Sequence, residues 1–197
     1  MRVPRPLQAL PWRILMLISP RTRVGKLEIF DLSSATVASD DHFDTIRHAL
    51  ELIQIHQPVR FTRILRDVRR IIVADVLGAE FWPHMGACAL SAELLGSGSL
   101  SVALALVHEA THARLHAARI PYDASSRERI ERICIRQEII FAQQFPDNAS
   151  LVDDIRRQLD RPWWSDSDLF ERRLYLLKSA GASSRVLRCI RAIFAPR

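Results

Sequence analysis

The amino-acid sequence predicts an α+β domain, mostly helical, with a small sheet. Three observations carry that expectation. Apolar residues recur at helical spacing over most of the chain, two short runs of β-branched or small apolar residues are bounded by glycines, and no internal repeat or low-complexity tract interrupts the pattern. The 197 residues are 48% hydrophobic and 25% charged, an ordinary globular composition. A chain of this length buries roughly 70% of the surface it exposes when unfolded. It needs no disulfide or structural metal to hold a core, so a metal site here has to be explained by function.

Residues 1–27, rich in Pro and Arg at the start, read as a basic arm that is irregular, or a short amphipathic element, up to about Gly25. Residues 28–197 read as one domain, with a helical C-terminal part over 149–197. The first strand candidate is 26–32. Ser39 can cap a helix whose stripe is Phe43, Ile46, Leu50 and Ile53, ending near Pro58. A second helix turns Phe61, Ile64, Leu65 and Val68 inward. The run 71–77 stops at Gly78 and reads as a buried strand, and 87–95, bounded by Gly86 and Gly96, reads as another. Ser99 or Ser101 then caps a long helix to about Ala118, closed by Pro121, and apolar on every side before His108 as a core helix is. Further helices are expected after Ser125 and over 151–159, 167–179 and 184–194.

Charge and cysteine content narrow the function classes. The net charge of +6 is uneven: residues 1–27 carry six basic and no acidic groups, 28–148 twelve against sixteen, and 149–197 ten against six. The basic ends raise the expectation of contact with nucleic acid or an anionic membrane. Cys88, Cys134 and Cys189 are too few and too widely spaced for a disulfide framework or a thiolate zinc cluster, and read as reduced core residues. The apolar run 14–18 is too short to span a membrane and lacks a cleavage site, which points to the cytoplasm. Gly96-Ser97-Gly98 has no following Lys and fits no phosphate-binding loop.

Inside the long central helix stands His108-Glu109-Ala110-Thr111-His112. Residues four apart on a helix share a face, so two imidazoles so placed can hold one zinc ion, and Glu109 can hold and deprotonate a water that the zinc acidifies. With seven His and nine Glu in the chain, about 0.01 such pentads are expected by chance. The three polar groups also interrupt a run of Leu, Ala and Val, where an unpaired polar group costs several kcal/mol.

A zinc site needs a third protein ligand, and the next helix can be searched by angle at about 100° per residue. With Ile130 as origin, Arg129, Arg132, Arg136 and Gln143 fall between about 200° and 260°, the solvent face. Ile130, Cys134, Phe141, Ala142 and Phe145 fall between about 0° and 120°, and Glu131 and Glu138 fall among them, near 100° and 80°. The two carboxylates are about 10 Å apart along the axis, so one of them at most is expected to reach the ion. Glu128 has another use, as partner of Ser125 in a capping box.

These residues resemble the zincin metallopeptidases, in particular the gluzincin branch, in which a Glu on the following helix completes the site. The resemblance rests on the strand at 71–77, the strand at 87–95, the helix with His108, Glu109 and His112, and Glu131 nineteen residues after His112. It covers about residues 70–145. Cys134, small and three residues after Glu131, matches the small residue one turn beyond the ligand in several such families, whereas Glu138 is followed at that offset by Phe141. The resemblance therefore implies His108, His112 and Glu131 as zinc ligands and Glu109 as the catalytic base, with Glu138 as a supporting partner or the alternative ligand. It implies a zinc-dependent peptide-bond hydrolase whose peptide substrate pairs with the strand 87–95 as an edge strand.

His116 lies four residues past His112, where families with a third His place it six past, and reads as a polar residue near the helix end. Asp123 is a further third-ligand candidate. Tyr122 and His84 are candidates for stabilising an oxyanion, with no clear equivalent of the downstream residue that does so in many zincins. Trp163 and Trp164 read as a pair that docks a segment onto the core. A different class of function, a zincin-like regulatory or binding module whose basic ends contact nucleic acid or anionic membrane with little catalysis, stays open at this point.

Overall fold

Thr22 and Val24 alternate with exposed Arg21 and Arg23, and that alternation makes strand β1 (Arg21–Val24), which pairs antiparallel with β2 (Leu27–Asp31). Gly25 closes the hairpin at a φ of 58°, in the left-handed region that glycine enters without strain. The structure, a computed structural model, describes residues 16–33, 39–145, 147, 149–160, 164–179 and 183–194. Residues 21–24 are thus sheet where an irregular arm is expected, because Thr22 and Val24 half-bury against the open side of β2. Residues 1–15 of the expected arm lie outside the described residues.

From β2 the chain crosses through α1 (Ser39–His56) and α2 (Pro58–Asp67) to β3 (Arg70–Val73), which pairs parallel with β2. Phe43, Ile46, Leu50 and Ile53, the expected stripe, are all buried on α1. Pro58 opens α2 at a position that needs no N–H donor. Beyond β3 the chain runs out to β4 (Ala79–Trp82) and returns as β5 (Ala87–Leu90), between β3 and β4. The mixed sheet has the order β1-β2-β3-β5-β4, with β3 and β5 parallel and β4 antiparallel to β5.

This corrects the strand expected at 87–95. It ends at Leu90 because the Ser91 hydroxyl accepts the backbone N–H of Leu94 at 3.1 Å, an N-cap that starts the short helix α3 (Ala92–Gly96). It is also interior, hydrogen-bonded on both sides, so it is not the edge along which a peptide was expected to pair. The edge strand on this side of the sheet is β4, four residues between Gly78 and Pro83.

Period-two burial gives the sheet two faces. Leu27, Ile29, Ile71, Val73, Cys88 and Leu90 point into the main core with α1 and the central helix, while Phe30, Ile72 and Ala87 form a smaller cluster with Met16, Ala74 and Met85. The central helix α4 (Ser99–Ala117) packs against α1, α2, α5 (Arg127–Ala142) and β4. Gly98, at φ 93°, takes the N-cap position expected for Ser99 or Ser101. Before α5, Ser126 takes the N-cap position with no side-chain cap bond, and the Asp123 carboxylate accepts from both Ser125 and Ser126 instead. The capping box is therefore absent, and Glu128 pairs with Arg132 at 3.0 Å.

Helices α6 (Ala149–Asp160), α7 (Asp166–Ser179) and α8 (Ser184–Phe194) follow. Trp164 is buried in the main core with the Arg132 guanidinium over its ring, whereas Trp163 lies outside the described residues. All three cysteines are free. Cys88 and Cys134 are buried, but Cys189 is exposed on the outlying α8 and is not a core residue. Among the described residues, no helix is long and apolar enough to cross a membrane.

Candidate metal centre

Ten residues of α4 are buried, including His108, Glu109 and Thr111, so the polar pentad sits inside the protein and must find partners there. Its i, i+4 spacing brings the two imidazoles together, with His108 Nε2 and His112 Nε2 3.1 Å apart. The third group comes from α5. Glu131, 2% exposed, places Oε2 at 3.2 Å from His108 Nε2 and Oε1 at 3.5 Å from His112 Nε2. Glu138, two turns further along α5, meets the other ring nitrogen of His108, Nδ1.

These distances provide a test of fit. Nitrogen and oxygen donors about 2.0–2.2 Å from a tetrahedral cation stand about 3.3 Å from one another. The three separations here, 3.1, 3.2 and 3.5 Å, lie near that figure, the two to Glu131 being made by its two different oxygens. Cys134, one turn beyond Glu131 on α5, belongs to the same neighbourhood: its Sγ and one nitrogen each of His108 and His112 lie within 4.8 Å of one another. The Cys134 thiol holds its proton tightly, because burial and the charges of Glu131, Glu109 and Glu138 all push its pKa up. The geometry thus accommodates two donor sets, His108 and His112 with the Glu131 carboxylate or with the Cys134 sulfur.

Without a metal, protons balance the charge. Burial disfavours the His108 imidazolium, but hydrogen bonds to Glu131 and Glu138, with the charge of Glu109, raise its pKa well above the ordinary value. Burial likewise opposes the Glu131 carboxylate, and hydrogen bonds and charge from His108 and His112 more than offset it, holding Glu131 far below the usual range. Glu109 differs: burial raises its pKa, the two histidines counteract in part, and Glu131 and Glu138 add to the rise. Its charge also helps to raise the pKa of the buried Cys88 on β5.

Tyr122, in the turn between α4 and α5, donates its hydroxyl to Glu131 Oε1 at 2.5 Å and sets its ring edge-on to His112, with centroids 5.4 Å apart. Burial and the bond to Glu131 push its pKa up, so it remains a donor. His116 packs against Phe81 of β4, and His84 stacks on Trp82; neither is in the donor group. Asp123 is exposed and committed to Ser125 and Ser126. Two partners are additional to the sequence reading. The Cys134 sulfur was visible, since it falls on the same angular face as Glu131, whereas the Tyr122–Glu131 bond depends on a turn that no periodicity describes. The chain matches no protein-family model, no curated protein and no solved structure.

Proposed function

We propose that the protein is a zinc-dependent peptide-bond hydrolase of gluzincin type, with His108, His112 and Glu131 as zinc ligands and Glu109 as the proton carrier. The observation that supports this reading is the convergence of two histidines one turn apart on a glutamate of the next helix: the Nε2 atoms of His108 and His112 stand 3.1 Å apart, with Glu131 Oε2 at 3.2 Å from the first and Oε1 at 3.5 Å from the second. Bound zinc supplies Lewis acidity, which lowers the pKa of a water toward neutrality and polarises a carbonyl.

The chain's own residues supply the rest. Glu138 accepts the Nδ1–H of His108, which fixes the tautomer whose Nε2 is free to ligate. Glu109, beside the ligands and with a raised pKa, takes a proton from the attacking water and returns it to the leaving amine. Tyr122, half-exposed and protonated, gives its one hydroxyl proton to Glu131 and so supports that ligand. Strand β4 lies beside α4 and pairs with β5 along one side, so its other side offers backbone groups to an extended peptide.

Elemental analysis of the purified full chain tests this. About one zinc per chain is expected, retained in Glu109→Gln and Glu138→Ala under mild chelation and lost in His112→Ala and Glu131→Ala. Zinc-loaded wild type is expected to cleave an unstructured peptide mixture that Glu109→Gln leaves intact. Full zinc occupancy in His112→Ala, or no uptake of added zinc by wild type, would overturn the assignment.

A further inference from the structure

A concavity with an apolar floor and a charged rim opens on the other side of α4, between α2, α4 and α5. It encloses about 220 Å³ over a buried floor of Ile64, Ala110 and Thr111, and three arginines line it: Arg60 and Arg63 from α2 and Arg114 from α4. One carboxylate, Asp67, lines it too, and Arg66 already bonds both its oxygens at 2.7 and 2.8 Å. The lining therefore carries an excess of at least two positive charges.

Arg60 is held in place without being neutralised. It donates to Gln57 Oε1 and, at 2.6 Å, to Gln137 Oε1 on α5, and both acceptors are uncharged amides. Among the described residues, Arg63 and Arg114 form no ion pair. Burial and repulsion from Arg63 and Arg114 lower the pKa of Arg60, as expected where guanidinium charges gather without a counterion. Guanidinium groups match the oxygens of phosphate in planar, paired hydrogen bonds, and a dianion balances the excess charge where a single carboxylate would not.

We propose that this cavity is a binding site for a phosphate dianion, either inorganic phosphate or the phosphate group of a small monoester. The inference is independent of the zinc reading, because no residue of the cavity is a donor of the metal centre. An anion bound there would tie α2 to α4 and α5, the two helices that carry the metal donors.

The test is a titration of the full chain with inorganic phosphate at constant ionic strength, read by melting temperature and by the ³¹P line width. Wild type is expected to show a saturable rise. Arg63→Gln and Arg114→Gln should each weaken the response at least tenfold while melting no lower than wild type without phosphate, since each removes a repelling charge. Compared in the metal-free state, Glu131→Ala should respond as wild type does. A parallel titration with phenyl phosphate separates the two sources: tighter binding than phosphate identifies a monoester site, and equal or weaker binding identifies inorganic phosphate. No saturable response, a response undiminished in both arginine variants, or one lost in Glu131→Ala would overturn the proposal.

Discussion

Replacing Glu138 by Gln isolates one interaction of the metal centre. The substitution keeps the side chain's shape and an oxygen able to accept from His108 Nδ1, but removes the negative charge. A hydrogen bond to a charged group contributes about 1.5–3 kcal/mol and a neutral one about 0.5–1.5 kcal/mol, so the change costs about 1–1.5 kcal/mol of support for His108 as a ligand. That is roughly a tenfold rise in the zinc dissociation constant, at the lower end of the 10- to 100-fold typical of residues that orient metal ligands. Competition with a chromophoric chelator at pH 7.5 measures it directly. Glu131→Ala, which deletes a ligand, should weaken binding far more than Glu138→Gln. Affinity in Glu138→Gln within twofold of wild type would refute the orienting role, and equal losses in the two variants would remove the distinction between ligand and support.

Zinc uptake at neutral pH should release protons, because the raised pKa of His108 keeps it charged in the metal-free protein; calorimetry in buffers of different ionisation enthalpy counts them. For the same metal-free form, the His108 contribution to stability is present below about pH 6.5 and lost as pH rises through its raised folded value, while the Glu131 contribution is present above about pH 4.5 and lost as pH falls. The melting temperature should therefore decline above neutrality, and zinc should abolish that decline. Cys134→Ser should keep zinc within about threefold of wild-type affinity, whereas loss of the metal in that variant would make the sulfur a ligand. Tyr122, one of two tyrosines, should ionise above the ordinary value of 10, and the late phase of an ultraviolet titration should vanish in Tyr122→Phe.

How legible the site was depended on whether its parts lay within one period. His108 and His112 share a helix, and their burial follows from the apolar residues around them. Glu131 and Glu138 lie on another helix, but angle alone put both on its core face, where both are buried. The two carboxylates could not be ranked by angle, because which one meets Nε2 and which meets Nδ1 depends on how far α5 slides along α4, a packing variable. Strand β4 escaped because four residues between Gly78 and Pro83 are too short to display alternation. The 87–95 run was read as one strand because Ser91, a cap in the structure, looks like any polar residue within an alternating segment. The arginine cavity joins residues 60, 63 and 114, and neither helix alone shows that these charges share a space.

The two sides of α4 carry opposite electrostatic demands, and this bears on what each can bind. On one side lie two imidazoles with Glu109, Glu131 and Glu138, all buried or nearly so. With both imidazoles neutral, as ligation requires, that group would hold up to three negative charges in a poorly solvated space, a state the protein relieves by retaining a proton on His108 and raising the pKa of Glu109. A divalent cation at the three proposed donors would offset two of those charges and free that proton. Toward α2 the excess is positive and the same reasoning calls for an anion. Because Thr111 and Arg114 interleave with His108 and His112 along one helix, neutralising either side fixes the position of the element that both sites share. A metal affinity that rises when phosphate fills the arginine cavity would follow from that coupling, and by linkage zinc would then strengthen phosphate binding by the same factor.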